Sequence, residues 1–195
     1  MAAGGGTPAG AADAARGLVE RGANALVSFG LAGGLDLALR PGTIIVPDSV
    51  LSEGRLHVTD SRLADRFGGL TGHSLLAGTS VAADAATKLR LHRETRAQAI
   101  DLESGSVAKF AETLGLPFIV VRAICDPAES DLPPAALLAL DPQGGIALSR
   151  VLLSLMRQPR QIPAMLTLAL YAARARRALV RLADRHHGAA SRSSL

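Results

Sequence analysis

Short apolar runs that end on glycines or carboxylates alternate with helical segments along this chain, and that alternation leaves few folds open. SFGLAGGLD at 28–36 reads as a buried strand ending in a glycine turn. IDLESGSVAKF at 100–110 ends a strand and puts Glu103 at the mouth of a helix, and PFIVVRAICDPAE at 117–129 runs a strand into Asp126. Strands alternating with helices predict a layered α/β sheet of largely parallel strands. In open sheets of this kind, ligands bind beyond the carboxyl ends of the strands. Two carboxylates and a glycine-rich loop in that position point to an enzyme acting on a small molecule.

The remaining elements follow from punctuation. Thr7 then Pro8 is an N-cap with proline at the first helical position, and the helix it opens runs to about Glu20 before Gly22 ends it. Strands are expected at 25–30, at 43–50 after the Pro41-Gly42 turn, weakly at 55–59, and at 74–81, 98–103 and 118–124. Helices are expected at 61–67, 84–92 and from Glu103 to Leu114. Beyond a loop containing Pro127, Pro133 and Pro134, further helices are expected at 134–140, 146–157 and 162–185. The whole chain, 1–195, reads as one domain, with 146–185 as its helical C-terminal extension. Folds of this class usually open on a buried strand and its glycine turn, whereas this chain opens on a helix. Its first strand is therefore expected to be lacking.

Composition removes several function classes. Apolar residues make up 48% of the chain, too many for a disordered one. Aromatics are 3%, with no Trp and one Tyr, which argues against a stacking platform for single-stranded nucleic acid. Cys125 is the only cysteine, so no internal disulfide forms. None of the five histidines has the spacing of a zinc site, and no metal is expected. Charge is uneven: residues 150–195 hold nine arginines and one acid, Asp184, while the rest of the chain is mildly acidic. A basic tail suggests an anionic partner. Its arginines lie along one helix without base-reading motifs, so no nucleic acid is expected. Residues 1–16 lack the basic start and apolar core of a signal peptide. The longest uncharged stretch, 161–173, has 13 residues where a membrane span needs about 20. The expected location is the cytoplasm, with membrane contact only at the surface.

Each candidate side chain has a plain structural alternative. Glu103 follows Asp101 at the end of the strand, where one carboxylate can face a pocket while the other faces packing; Glu103 itself could simply cap the helix it opens. Asp126-Pro127-Ala128-Glu129 fits an N-cap, a proline at the first helical position and a capping-box glutamate. The glycines of GLAGG have a turn reading, and without GxGxxG a dinucleotide fingerprint is unsupported. Cys125 has no adjacent histidine and reads as a buried filler.

Taken together, the motifs resemble the nucleoside phosphorylase and nucleosidase superfamily over about residues 20–130. The resemblance rests on Gly30, Gly33 and Gly34; on Pro41-Gly42 before TIIVPDSV; on Asp101-Leu102-Glu103; and on Val121-Arg122-Ala123-Ile124-Cys125-Asp126. LPPAALLALD at 132–141 followed by VLLSLMRQPRQIPAMLTLAL at 151–170 is similar to the hopanoid-associated phosphorylase branch, linked to removing adenine from adenosylhopane. The fold this implies is α/β, a three-layer sandwich with a mixed, largely parallel central sheet of the phosphorylase/hydrolase type.

The resemblance also implies roles. Glu103 would accept hydrogen bonds from the ribose 2′- and 3′-hydroxyls, and Asp126 would bridge the adenine edge and deliver a proton to N7. Val81 and Ala82 fall where the family places a base-stacking side chain and a backbone contact to adenine. Leu102 would pack under the ribose, with Ala32 and Gly33 on the floor of the site. Phosphate or an attacking water would sit at Ser28 and Gly30, and Leu31, which has no hydroxyl, leans the reading toward water. No metal or organic cofactor is implied, and phosphate enters only as a co-substrate. The implied partners are a nucleoside with a hopane tail and further copies of the chain. The implied reaction is cleavage of the N-ribosidic bond of adenosylhopane, releasing adenine. The alternatives are a nucleosidase for methylthioadenosine or S-adenosylhomocysteine, or a nucleoside-binding subunit without catalysis. Arg174, Arg177, Arg181 and Arg185 form a stripe that could lie against the inner face of a membrane.

Overall fold

Capping side chains set the helix starts. In the computed structural model Thr7 Oγ1 accepts from Gly10 N at 3.1 Å and opens α1 (Pro8–Glu20). Asp60 does the same for α2 (Ser61–Phe67) through Leu63 N, and Asp84 for α3 (Ala85–Thr95) through Thr87 N, both at 2.8 Å. The structure describes residues 1–69, 71–138, 154 and 156–192, with Leu138 and residues 187–192 described by their backbone alone.

Seven strands form one mixed sheet. They are β1 (Leu26–Gly34), β2 (Ile44–Ile45), β3 (Ser49–Ser52), β4 (Arg55–Val58), β5 (Ser74–Ala77), β6 (Ala99–Asp101) and β7 (Phe118–Asp126). Their order across the sheet is β2-β7-β1-β6-β5-β3-β4. The long pairing, β1 on β7, is parallel, as are β3 on β5 and β5 on β6. The β2–β7, β1–β6 and β3–β4 pairings are antiparallel. The chain between β6 and β7 forms α4 (Ser104–Thr113), and after β7 come α5 (Pro134–Leu138), a 3₁₀ turn (Pro159–Gln161) and α6 (Ile162–Arg192).

Alternation along β7 creates the three layers. Phe118, Val120 and Ile124 pack with Ala11 and Ala15 of α1 and Val107, Ala108 and Ala111 of α4. Ile119, Val121 and Ala123 face the other way, against Ala64 of α2 and Ala175, Leu179 and Leu182 of α6. A strand buried on both faces reads as a continuous apolar run, as 118–124 does.

Three elements differ from expectation. The single strand expected at 43–50 is two, β2 and β3, broken around buried Pro47, whose nitrogen has no hydrogen to give a ladder. The expected strand 74–81 stops at Ala77. The glycines of GLAGG are part of β1 rather than a turn after it. They lie there because neighbours come close: a Cβ at Gly30 would sit 3.3 Å from Arg122 Nη1, and one at Gly33 would sit 3.3 Å from Ile100 Cγ2. The expected helix at 146–157 falls largely outside the described residues. β1 meets β6 only at Gly33 and Gly34. Among the described residues, 26–32 of β1 thus have no strand beside them on that side.

Close packing of α4 onto β3 and β5 yields a direct test. A Cβ at Gly105 would lie 2.5 Å from Ser52 Oγ and 2.7 Å from Ala77 Cβ. Gly105→Ala is expected to destabilise the fold by about 1–3 kcal/mol, read from the urea midpoint, because both neighbours are held by the sheet. A midpoint unchanged or raised would mean that α4 can shift freely.

Candidate active site

A buried guanidinium organises one end of the site. Arg122 is fully buried in β7. Its Nε donates to Asp101 Oδ2 at 2.7 Å, and its Nη2 donates to Ser28 Oγ at 2.8 Å and Ser104 Oγ at 2.9 Å. Nη2 is also 2.5 Å from Asp101 Oδ2 and 3.8 Å from Glu103 Oε2. One side chain therefore ties β1, β6, β7 and the start of α4 together. A charge this deep is tolerated because its donors meet a carboxylate and two hydroxyls. Gly30 leaves room for the guanidinium, and Ser28 bonds it directly.

The carboxylates of Asp101 and Glu103 divide the work. Asp101 caps α4: its Oδ1 accepts from Ser104 N at 3.2 Å and its Oδ2 from Ser104 Oγ at 2.5 Å. Glu103 makes no capping bond. Its side chain is 28% exposed, against 5% for Asp101. It opens on a small cavity of about 80 Å³ that Ala15, Val27, Ser28, Phe29 and Val107 also line. The capping alternative for Glu103 is thus taken up by Asp101, and Glu103 is left with a carboxylate that faces open space beside Arg122.

Asp126 ends β7, four residues beyond Arg122 and therefore about 13 Å along the strand. No helix follows it; residues 127–130 form a turn closed by Ser130 N donating to Pro127 O at 3.2 Å, so the N-cap alternative does not hold. Asp126 Oδ2 lies 2.6 Å from Lys88 Nζ. Lys88 is fully buried, and its other two donors reach Pro127 O at 3.0 Å and Ser130 O at 2.7 Å. Asp126 Oδ1 is buried and has no partner among the described residues. Burial raises the Asp126 pKa above the ordinary carboxylate value, against the pull of Lys88; Asp131 and Glu129 push the same way as burial. The arrangement is a carboxyl with one oxygen pinned and the other free to carry a proton.

Of the other expected residues, Ser28 and Gly30 lie beside Arg122 and Gly33 beside Asp126. Gly33 is in register with Asp126, and a Cβ there would lie 3.8 Å from its Oδ2. Ala32 is buried, and its carbonyl accepts from Cys125 Sγ at 3.5 Å. Burial pushes the Cys125 thiol up to about 11, which leaves it protonated and inert as a nucleophile. Ala82 is buried and packs with Leu35, Ala97 and Ile100. Val81 and Leu102 are half-buried beside it and beside Glu103. A cavity of about 210 Å³ joins Asp126, Ser130, Leu132 and Pro133 to Ala164, Leu168 and Tyr171 of α6. A larger groove, about 660 Å³, lies elsewhere, beside His57 and Glu112, and holds none of these groups.

Two site residues were not legible as such. Arg122 was part of a quoted motif, and its signal was a lone charge inside the apolar run FIVVRAIC. Lys88 gave none, because it sits among Thr87, Arg90 and Arg93 on a helix that reads as solvated.

The comparisons with known proteins agree on the architecture. The model of the phosphorylase superfamily matches residues 53–156, just over half of the chain. No curated protein matches. Among solved structures, S-adenosylhomocysteine nucleosidase from Streptococcus pyogenes, in complex with 5-methylthiotubericidin, is 22% identical with a TM-score of 0.57. That match covers 63% of this chain and 64% of the streptococcal one, so the chain spans less than two thirds of that relative. Native futalosine hydrolase of Helicobacter pylori is 18% identical with a TM-score of 0.60, covering 78% of this chain and 76% of that one. The 5′-methylthioadenosine/S-adenosylhomocysteine nucleosidase from Helicobacter pylori is 16% identical with a TM-score of 0.62, covering 92% and 76%. At these identities the likeness is one of fold.

Proposed function

Because the chain belongs to the phosphorylase superfamily, we propose that it cleaves the N-ribosidic bond of a 5′-substituted adenosine, with adenosylhopane as substrate and adenine as the released base. The observation that carries this reading is Asp126: a buried carboxyl with one oxygen held by Lys88 and the other without a partner. As the C1′–N9 bond breaks, its electron pair moves onto the purine and positive charge gathers on the ribose. Asp126 gives its proton to N7, which neutralises the leaving base. Glu103 accepts hydrogen bonds from the 2′- and 3′-hydroxyls, and its negative charge steadies the cationic sugar. Arg122 holds Ser28 and stands beside Glu103, fixing the floor on which ribose and nucleophile meet. Water then bonds to C1′ and releases a proton; phosphate in its place would leave a sugar 1-phosphate. Val81, Ala82 and Gly33 face the base, and Leu102 and Ala32 line the ribose side.

The hopane tail is supported by the sequence from Leu132 onward, which resembles the hopanoid-associated branch. The second reading, a soluble thioether nucleoside, is favoured by the methylthio ligand in the streptococcal structure. Adenine release from adenosylhopane and from methylthioadenosine, each with and without phosphate, separates them. The expected result is release from adenosylhopane without a need for phosphate. Turnover of methylthioadenosine alone would move the assignment to the second reading. Binding without release from either would leave a nucleoside-binding subunit.

Glu103→Gln tests the ribose contact. Loss of a charged hydrogen bond lowers kcat/KM by about 10–100-fold. Stability should stay within about 0.5 kcal/mol, since Glu103 caps nothing. Unchanged kinetics with a clear loss of stability would return Glu103 to a structural role.

A further inference from the structure

We propose that α6 docks the protein on an anionic membrane surface through the face it turns away from the sheet. Ala175, Leu179 and Leu182 bury one face of this helix. The opposite face is apolar too, apart from Arg177. Ile162, Leu166, Leu170, Ala173, Arg177 and Val180 follow one another at spacings of 4, 4, 3, 4 and 3, a straight stripe on a helix of 3.6 residues per turn. Ile162 is 43% exposed, Leu166 61%, Leu170 66% and Val180 50%. A solvated helix has a polar outer face; one that is apolar on both sides has a second surface to cover.

Charge decides what covers it. Arg176 and Arg181 flank the stripe, Arg177 lies within it, and all three are exposed. None of them forms an ion pair among the described residues. Asp184, exposed one turn past Val180 at the end of the stripe, is the only acid in residues 150–195, against nine arginines. A second copy paired through this stripe would set like charges against each other in a shared apolar seam. A nucleic acid would set phosphates against Leu166 and Leu170. A headgroup layer answers both features, because its anions meet the guanidinium groups while the leucines enter the acyl boundary. No described helix is long and apolar enough to cross a membrane, which leaves contact along the surface.

The test is co-sedimentation of the full chain with phosphatidylcholine vesicles, with and without phosphatidylglycerol. Partitioning should be roughly tenfold or more stronger on the anionic vesicles and should weaken as salt rises. Leu166→Ser with Leu170→Ser, and separately Arg177→Gln with Arg181→Gln, should each lower it by roughly tenfold or more at an unchanged melting temperature. Failure to bind the anionic vesicles would overturn the proposal. So would equal binding to neutral ones, self-association lost in the same variants, or RNA binding that they abolish. Adenine release does not enter the readout, so the docking surface stands or falls apart from the proposed reaction.

Discussion

Asp126→Asn is expected to lower kcat for adenine release by about 10²–10⁴-fold, the range for removing a positioned general acid. Asparagine keeps the shape and can still accept from Lys88 through its carbonyl oxygen, so the fold should persist. What it lacks is a proton to give. The pH dependence supplies a second signature. Burial raises the folded pKa of Asp126, so activity should fall as pH rises through that value and the carboxyl loses its proton. Asp126→Asn should lose that limb. Stability follows the same sign. The native carboxyl binds its proton to higher pH than the unfolded one, so its stabilising contribution is complete below the ordinary carboxylate value and is lost as pH rises through the folded pKa. A variant with full activity and an intact alkaline limb would remove Asp126 from the chemistry.

Arg122→Leu is expected to produce the largest loss of stability, about 3–5 kcal/mol. The leucine would leave Asp101 without its counter-charge in a place where the carboxylate side chain is 5% exposed. It would also take the guanidinium from Ser28 Oγ, leaving it Ser104 Oγ at 3.4 Å, and leave a gap beneath Gly30. Marginal stability of about 5–15 kcal/mol makes this a large fraction of the whole. Arg122→Lys restores a positive charge but not the planar fork that reaches Asp101, Ser28 and Ser104 together, so an intermediate loss is expected. Urea unfolding of both variants checks the order. A loss under about 1 kcal/mol for Arg122→Leu would mean the cluster contributes little to the fold.

Local signals carried much of the architecture. Thr7, Asp60 and Asp84 start their helices through short side-chain bonds to residues three positions on, and such bonds are written in consecutive residues. The run 118–124 is apolar throughout because β7 is buried on both faces. The site was legible to the extent that its carboxylates sit at strand ends. The division between Asp101 and Glu103 was not, because it depends on which of them turns back to Ser104. Contacts far apart in sequence were the least visible. Arg122 reaches Ser28 across 94 positions and Lys88 reaches Pro127 across 39, and no local pattern encodes such meetings. The glycines of β1 were mistaken for a turn for the same reason: their neighbours, Arg122 and Ile100, come from distant strands.

The most direct test is the adenine released from adenosylhopane by the purified chain and by Asp126→Asn, followed across pH. The account predicts release by the unaltered chain that declines on the alkaline side, and at least about a hundredfold less from the variant at every pH. Equal release by the two, or none from the unaltered chain while it still binds the nucleoside, would contradict it.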